Sequence, residues 1–285
     1  ALMESGQVEE ADRCLDLHEL LATEVGQPSL RWIAIVNRAG QALRTGRIAE
    51  AEQLASAGYE IGRTGGQPDV WLYFALQQFK IAFEQGRLQE WSEDGEAGFA
   101  ELARNQRSPL FHGFLAVSYC EVGRTEDARR VFDDLVPAVF DLPVEIAWVA
   151  LMTDLASVCA HLGDAHWAAA LSDQLAPYPN QLPTLTHGGV VGGSVAHHLG
   201  MLASTLGHYD EAEARFAAAA ATHGRIGARS WLARTRLEWA RMLLTRRQPG
   251  DTDRAQELLG QALATARELG LGNVERRAVE LLTSR

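Results

Sequence analysis

One lysine, Lys80, stands against 25 arginines in a chain of 285 residues. A phosphate-cradling loop needs a glycine-rich turn followed by Lys-Ser/Thr, and the stretch around Lys80, "QQFKIAF", holds no glycine. Nucleotide binding of that kind is excluded for this segment. Cysteine is scarce too: Cys14, Cys120 and Cys159 are odd in number and far apart, which argues against a disulfide framework or a zinc site and for reduced thiols in a cytoplasm. No apolar run approaches the roughly 20 residues that span a bilayer, and the first residues, "ALMESG", lack the basic region of a signal peptide. The chain also begins without methionine, which reads as a cut inside a longer protein or a processed end. β-Branched residues are sparse, and the nine prolines fall in a few places. What remains is rich in Ala, Leu, Glu and Arg, all good helix formers.

Charge is unevenly spread. The net value is −11. Residues 1–142 hold 13 basic and 23 acidic side chains, and residues 143–285 hold 13 and 14. An acidic half argues against wholesale nucleic-acid binding.

Glycine recurs with a period. Gly6, Gly46, Gly86, Gly123, Gly163, Gly207 and Gly250 lie 37 to 44 residues apart. Alanine follows five residues later in every unit except the third, where Trp91 stands. Acidic residues come soon after most of these glycines, as in "GHYDEAEARF". The pattern predicts a helix, a glycine turn in the left-handed region, and a second helix with acids at its positive end. The alanine marks where the two helices cross. Pro28, Pro68, Pro109, Pro143 and Pro183 are expected to open the first helix of their units, where proline is tolerated. "NVERRAVELLTSR" predicts a capping helix over about 273–284. The expected fold is one all-α, right-handed superhelical solenoid over 1–285, built of about seven antiparallel helix pairs.

Leu199-Gly200, Gly207, Tyr209, Ala212, Phe216 and Ala219 fall at the signature spacings of the tetratricopeptide repeat, which the chain resembles. The period of about 40 exceeds that family's usual 34. The last two units, with Gly227 to Arg236 reading "GARSWLARTR", resemble more narrowly the C-terminal helical arms of bacterial signal-transducing ATPases, both LuxR-type regulators and cyclase–AAA–repeat proteins. The resemblance implies a non-catalytic arm of a signalling or transcriptional regulator, or alternatively a free-standing adaptor with a peptide or protein in its concave groove. Implied partners are a protein or peptide, or an ATPase or output domain of the same polypeptide. Nucleic acid and membrane are not expected partners, and no cofactor is implied. By the family's spacing the groove-facing positions are Tyr73, Lys80, Glu84, Glu121, Thr153, His161, Ser194, His197 and Met201. They lack the repeated Lys/Asn/Arg set that clamps a peptide carboxylate in some repeat domains.

Chemistry in the residues is thin. His187, His197 and His198 invite a metal, but adjacent helical histidines point about 100° apart and no Glu or Cys stands within a turn of the pair. Ser194 lies one turn before His197, without a visible orienting carboxylate or oxyanion hole. "HGGVVGGSVAHHLG" resembles a glycine-rich loop, yet small residues at helix contacts explain it more simply. The irregular stretch 176–189 is either a connector or a functional loop. Trp32, Trp71 and Trp148 are expected in the inter-repeat core. Residues 225–247 carry seven arginines and one acid, Glu238. Their basic face is neutralised by neighbouring helices, docks an acidic partner with Arg234, Arg241 and Arg246 as its candidate residues, or, with Trp231 and Trp239 interleaved, touches nucleic acid.

Overall fold

All seven periodic glycines take φ between +67° and +86°, where a Cβ is strained and glycine is not. In the computed structural model, residues 1–90, 101, 109–140, 142 and 147–283 are described. The N-terminal segment holds α1 (Val8–Val25), α2 (Pro28–Thr45), α3 (Ile48–Thr64) and α4 (Val70–Gln85). The rest holds α5 (Pro109–Glu121), α6 (Thr125–Val139), α7 (Trp148–Leu162), α8 (Ala165–Leu175), α9 (Val195–Thr205), α10 (Tyr209–Arg225), α11 (Arg229–Arg246), α12 (Asp251–Leu269) and α13 (Gly272–Thr283). A second glycine set, Gly26, Gly66, Gly227 and Gly270, also has positive φ. Each stands 20 residues after a periodic glycine and turns the chain from one helix pair to the next.

The alanine five residues after the turn is the packing partner of that geometry. Ala51, Ala128, Ala168, Ala212 and Ala255 have no exposed surface. A larger side chain there would push the paired helices apart. Ala11 on α1 is only half-buried. The chain is an all-α helical-repeat solenoid. No helix among the described residues is long and apolar enough to cross a membrane.

Three expectations are corrected. Pro183 does not open a helix: it precedes β1 (Thr184–Leu185), which pairs antiparallel with β2 (Val190–Val191) across a short 3₁₀ turn. Helix α9 opens only at Val195, after two further glycines. Trp71 is 47% exposed, whereas Trp32 and Trp148 are buried. Third, the 176–189 stretch is not wholly irregular, since it contains the first strand of this hairpin. Pro143 and Trp91 lie outside the described residues.

The first helices do not simply continue the array. They fold back across it, with α2 against α11 and α4 against α13. One apolar core joins Ala39, Ile48 and Ile81 to Leu237, Leu259 and Val274. Another joins Leu76 and Phe79 to Phe114, Leu155 and Leu199. Small residues permit the closure. A Cβ at Gly40 would overlap the Gly188 carbonyl oxygen of the hairpin turn, and buried Gln77 donates to both the Val36 and Gly189 carbonyls, at 2.8 and 3.0 Å. Arg44, 3% exposed, pairs with Asp12 and donates to the Ile226 carbonyl.

Candidate ligand-binding cavity

Where α4 lies across the arc formed by α5 to α13, it leaves a cavity of about 140 Å³. Walls come from α4, α5, α7, α9, α11 and α13, and the hairpin segment contributes Pro183, Leu185 and Val190. Six of the nine expected groove residues line it: Lys80, Glu121, Thr153, His161, His197 and Met201. Helical spacing puts them there. His197 and Met201 are one turn apart on α9.

Three do not line it. Tyr73 packs against Trp32 of α2, ring centroids 5.0 Å apart, and its hydroxyl meets His187 Nδ1 at 2.6 Å. Glu84 sits behind the wall, 1% exposed. Ser194 has no exposed surface. Its backbone N–H donates to His223 Nε2 at 2.9 Å, while its hydroxyl oxygen has no hydrogen-bond partner. A Ser194–His197 nucleophile pair is therefore not formed.

The docking face of Arg234, Arg241 and Arg246 is also corrected in its placement. Arg234 turns inward and is 6% exposed. Its Nε and NH2 donate to Glu84 Oε2 at 3.3 and 2.9 Å. Arg246 is engaged by Asp251 and Glu213 at 2.7 Å each. Only Arg241 is substantially exposed, and it donates to Glu238 Oε2 at 2.7 Å. Desolvating a guanidinium costs several kcal/mol unless a carboxylate receives it, and neighbouring helices supply those carboxylates.

The charged groups gather at two ends. At the deep end, Lys80 Nζ lies 2.9 Å from Glu84 Oε1, off the line of a hydrogen bond. It rests over the Phe83 and Trp231 rings at 4.4 and 4.6 Å from their centroids. Burial would raise the Glu84 carboxyl, but Arg234 and Lys80 hold it down at about 2. Burial lowers the Lys80 ammonium against the pull of Glu84. Asp154 on α7 faces the same space. Burial pushes it up to about 7, with Lys80 opposing, and its Oδ2 is shut from solvent without a partner. At the outer end, Glu238 receives Arg241 and, at 2.8 Å, Arg277. Glu121 accepts from Asn273 and has Arg277 at 4.0 Å.

Three buried histidines carry no charge, and two of them, His197 and His198, line the cavity. His223 Nε2 accepts from Ser194, so its Nδ1 carries the proton and donates to Thr235 Oγ1 at 3.1 Å. The Thr235 hydroxyl in turn donates to His197 Nδ1 at 3.0 Å. The Ser157 hydroxyl donates to the Thr153 carbonyl, so His198 Nδ1 is the donor in its 3.1 Å contact with Ser157. Burial lowers all three rings, His198 and His223 to about 3. No group of His, Cys, Asp and Glu among the described residues has the arrangement of a metal site. Glycines in "HGGVVGGSVAHHLG" serve contact: a Cβ at Gly193 would strike the Trp231 ring, and one at Gly200 would lie 2.8 Å from Phe216.

Sequence reasoning missed Asp154, His198, Trp231 and Arg277 as cavity residues. For Asp154 the signal was present, since it follows Thr153 on α7. Arg277 had none, because the return of α13 onto α4 is not encoded in the repeat.

No protein-family model matches this sequence, and no curated protein matches it. Among solved structures, the chain is similar to a Rap protein complexed with competence and sporulation factor. The TM-score is 0.53 at 16% identity, over 89% of this chain and 70% of that one. A tetratricopeptide repeat protein from Parabacteroides merdae ATCC 43184 aligns at 14% identity over 87% of this chain and 98% of that one, with a TM-score of 0.37. The first likeness is one of fold: a tetratricopeptide-like helical repeat.

Proposed function

We propose that this chain is a non-catalytic, ligand-sensing repeat arm of a bacterial signalling or transcriptional regulator. One observation carries the reading. Positions expected to face a groove converge instead on a chamber whose walls come from both the N-terminal helices and the arc. A ligand there touches α4, α7, α9 and α11 together, so its binding energy depends on how the two halves sit. Resemblance of the last two units to ATPase arms supports the regulator part of the reading. A cytoplasmic setting agrees with three unpaired thiols.

A free-standing adaptor that binds a peptide is the second reading. It is favoured by the fold likeness to a Rap protein solved with competence and sporulation factor. Both readings place the ligand at the concave side, and both are tested by filling it. Ala150 is 5% exposed and lines the cavity. Small molecules and peptides from a host extract are passed over immobilised wild-type chain and over Ala150→Trp, then identified by mass spectrometry. Species held by the wild type and lost by a folded Ala150→Trp are the expected result. Equal retention on both proteins would sink the cavity as the ligand site.

A further inference from the structure

We infer that the cavity holds its ligand through a carboxylate on an apolar body, received between Lys80 and Arg234. The inference rests on the cavity being a ligand chamber, as proposed above. Lys80 comes from α4 and Arg234 from α11, so the pole is built from both halves of the molecule. The two cations share one carboxylate, Glu84, which lies behind the cavity wall. Arg234 gives Nε and NH2 to Glu84, lies over the Phe83 ring at 4.1 Å from its centroid, and makes no other hydrogen bond among the described residues. Lys80 Nζ has one carboxylate oxygen and two ring faces for company. Donors of both side chains are left for the cavity.

The remaining acid offsets this surplus only as pH rises through about 7. Asp154 has an oxygen shut away without a donor, and burial favours its neutral form up to about pH 7. His197 and His198 are uncharged and add nothing. The outer end differs: Glu238 and Glu121 face Arg241 and Arg277, two acids for two cations. An incoming anion therefore gains most at Lys80 and Arg234. An ammonium would sit beside two cations, and a neutral group would leave the surplus uncompensated. Leu76, Phe79, Phe114, Val158 and Leu237 supply apolar wall around the rest. The volume, about 140 Å³, is close to that of a cavity known to take benzene (about 150 Å³). The body is therefore of the order of one six-membered ring.

Two sources carry that chemistry, a small organic acid and the C-terminal residue of a short peptide. The probes are 3-phenylpropanoate, its primary amide and 3-phenylpropylamine, with N-acetyl-Leu-Phe and its C-terminal amide as the peptide arm. Affinity is measured by titration calorimetry. In parallel, cyanate carbamylation is followed by mass at Lys80, the chain's one lysine. The expected result is a carboxylate bound about 10- to 100-fold more tightly than its amide, slowed carbamylation of Lys80, and no binding of the amine. Binding by phenylpropanoate alone assigns a small acid, and binding by the acetyl dipeptide alone assigns a peptide end. Lys80→Met is expected to lose the preference for acid over amide. That preference is also read on the wild-type chain, so it stands where the variant fails to fold. Equal binding of acid and amide, or preference for the amine, with Lys80 still protected, overturns the carboxylate and leaves the chamber intact. No binding by any probe overturns the carboxylate as well; the chamber itself then stands or falls on the Ala150→Trp comparison.

Discussion

Glu84, behind the cavity wall, and Glu238, on it, each receive two cations, and the surroundings make these two clusters different devices. At Glu84 the partners are enclosed: side-chain exposure is 12% for Lys80 and 7% for Arg234. At Glu238 the partners reach water: 37% for Arg241 and 30% for Arg277. The same pairing pattern is thus worth different amounts. A buried cation that loses its carboxylate has no water to replace it, whereas a half-exposed one does. Glu84→Gln tests this at its largest. It is expected to cost about 3–5 kcal/mol, because it strands two buried cations from different halves of the molecule. Glu238→Gln is expected to cost clearly less. Urea unfolding of the two variants measures both, and equal midpoints would mean that enclosure does not separate the clusters.

A packing change sharpens the comparison without touching charge. Gly40 lets α2 approach the hairpin turn that helps wall the cavity. Gly40→Ala adds helix propensity yet forces the Gly188 carbonyl aside. We expect a net loss of about 1–3 kcal/mol and faster proteolysis between the N-terminal helices and the arc. A variant as stable as the wild type would show that α2 and the hairpin give way easily.

The two deep acids also titrate in opposite senses. Glu84 is held at about 2, so its contribution is present above its ordinary value near 4.5 and is lost as pH falls toward 2. Asp154 is raised to about 7 from 3.8. The folded state then binds the extra proton between those values, and stability declines as pH rises from about 4 through 7. Asp154→Asn removes that decline. Its melting temperature is expected to exceed the wild type's at pH 8 and to converge with it near pH 4. A gap that stays constant with pH would remove Asp154 from the titration.

How much of this was legible in the sequence differs between backbone and site. The turns were readable because one steric fact, positive φ, selects glycine at each of them, and the small alanine at the crossing follows from the same geometry. The second glycine set, at Gly26, Gly66, Gly227 and Gly270, carried the same signal at half a period. The cavity was readable only along single helices. Lys80 and His197 could be placed on an inner face by spacing, but nothing local says that Arg234 meets Glu84, 150 residues away. Arg234 and Glu238, one turn apart, share a helix face by spacing alone. They separate because α4 folds back and offers Arg234 a buried carboxylate, while Arg241 and Arg277 take Glu238. Trp71 misled for a related reason: repeat spacing fixes its position on α4, not whether a neighbour covers that side.

The mildest change tests the shallow end by itself. Arg241→Ala removes one of two cations from Glu238 and leaves Arg277 at 2.8 Å. Arg241 already shares its charge with solvent, so the expected loss is below about 1 kcal/mol. The size of the loss should shrink further in high salt, because screening acts on exposed pairs first. Arg277 returns from α13 to Glu238 on α11 and ties the last helix to this carboxylate. Arg277→Ala should therefore exceed Arg241→Ala in cost, although both side chains are about one-third exposed. Chemical denaturation at 0.05 and 0.5 M salt compares the pair. If Arg241→Ala proves the costlier, the Glu238 cluster is held together within α11, and closure by the last helix contributes little.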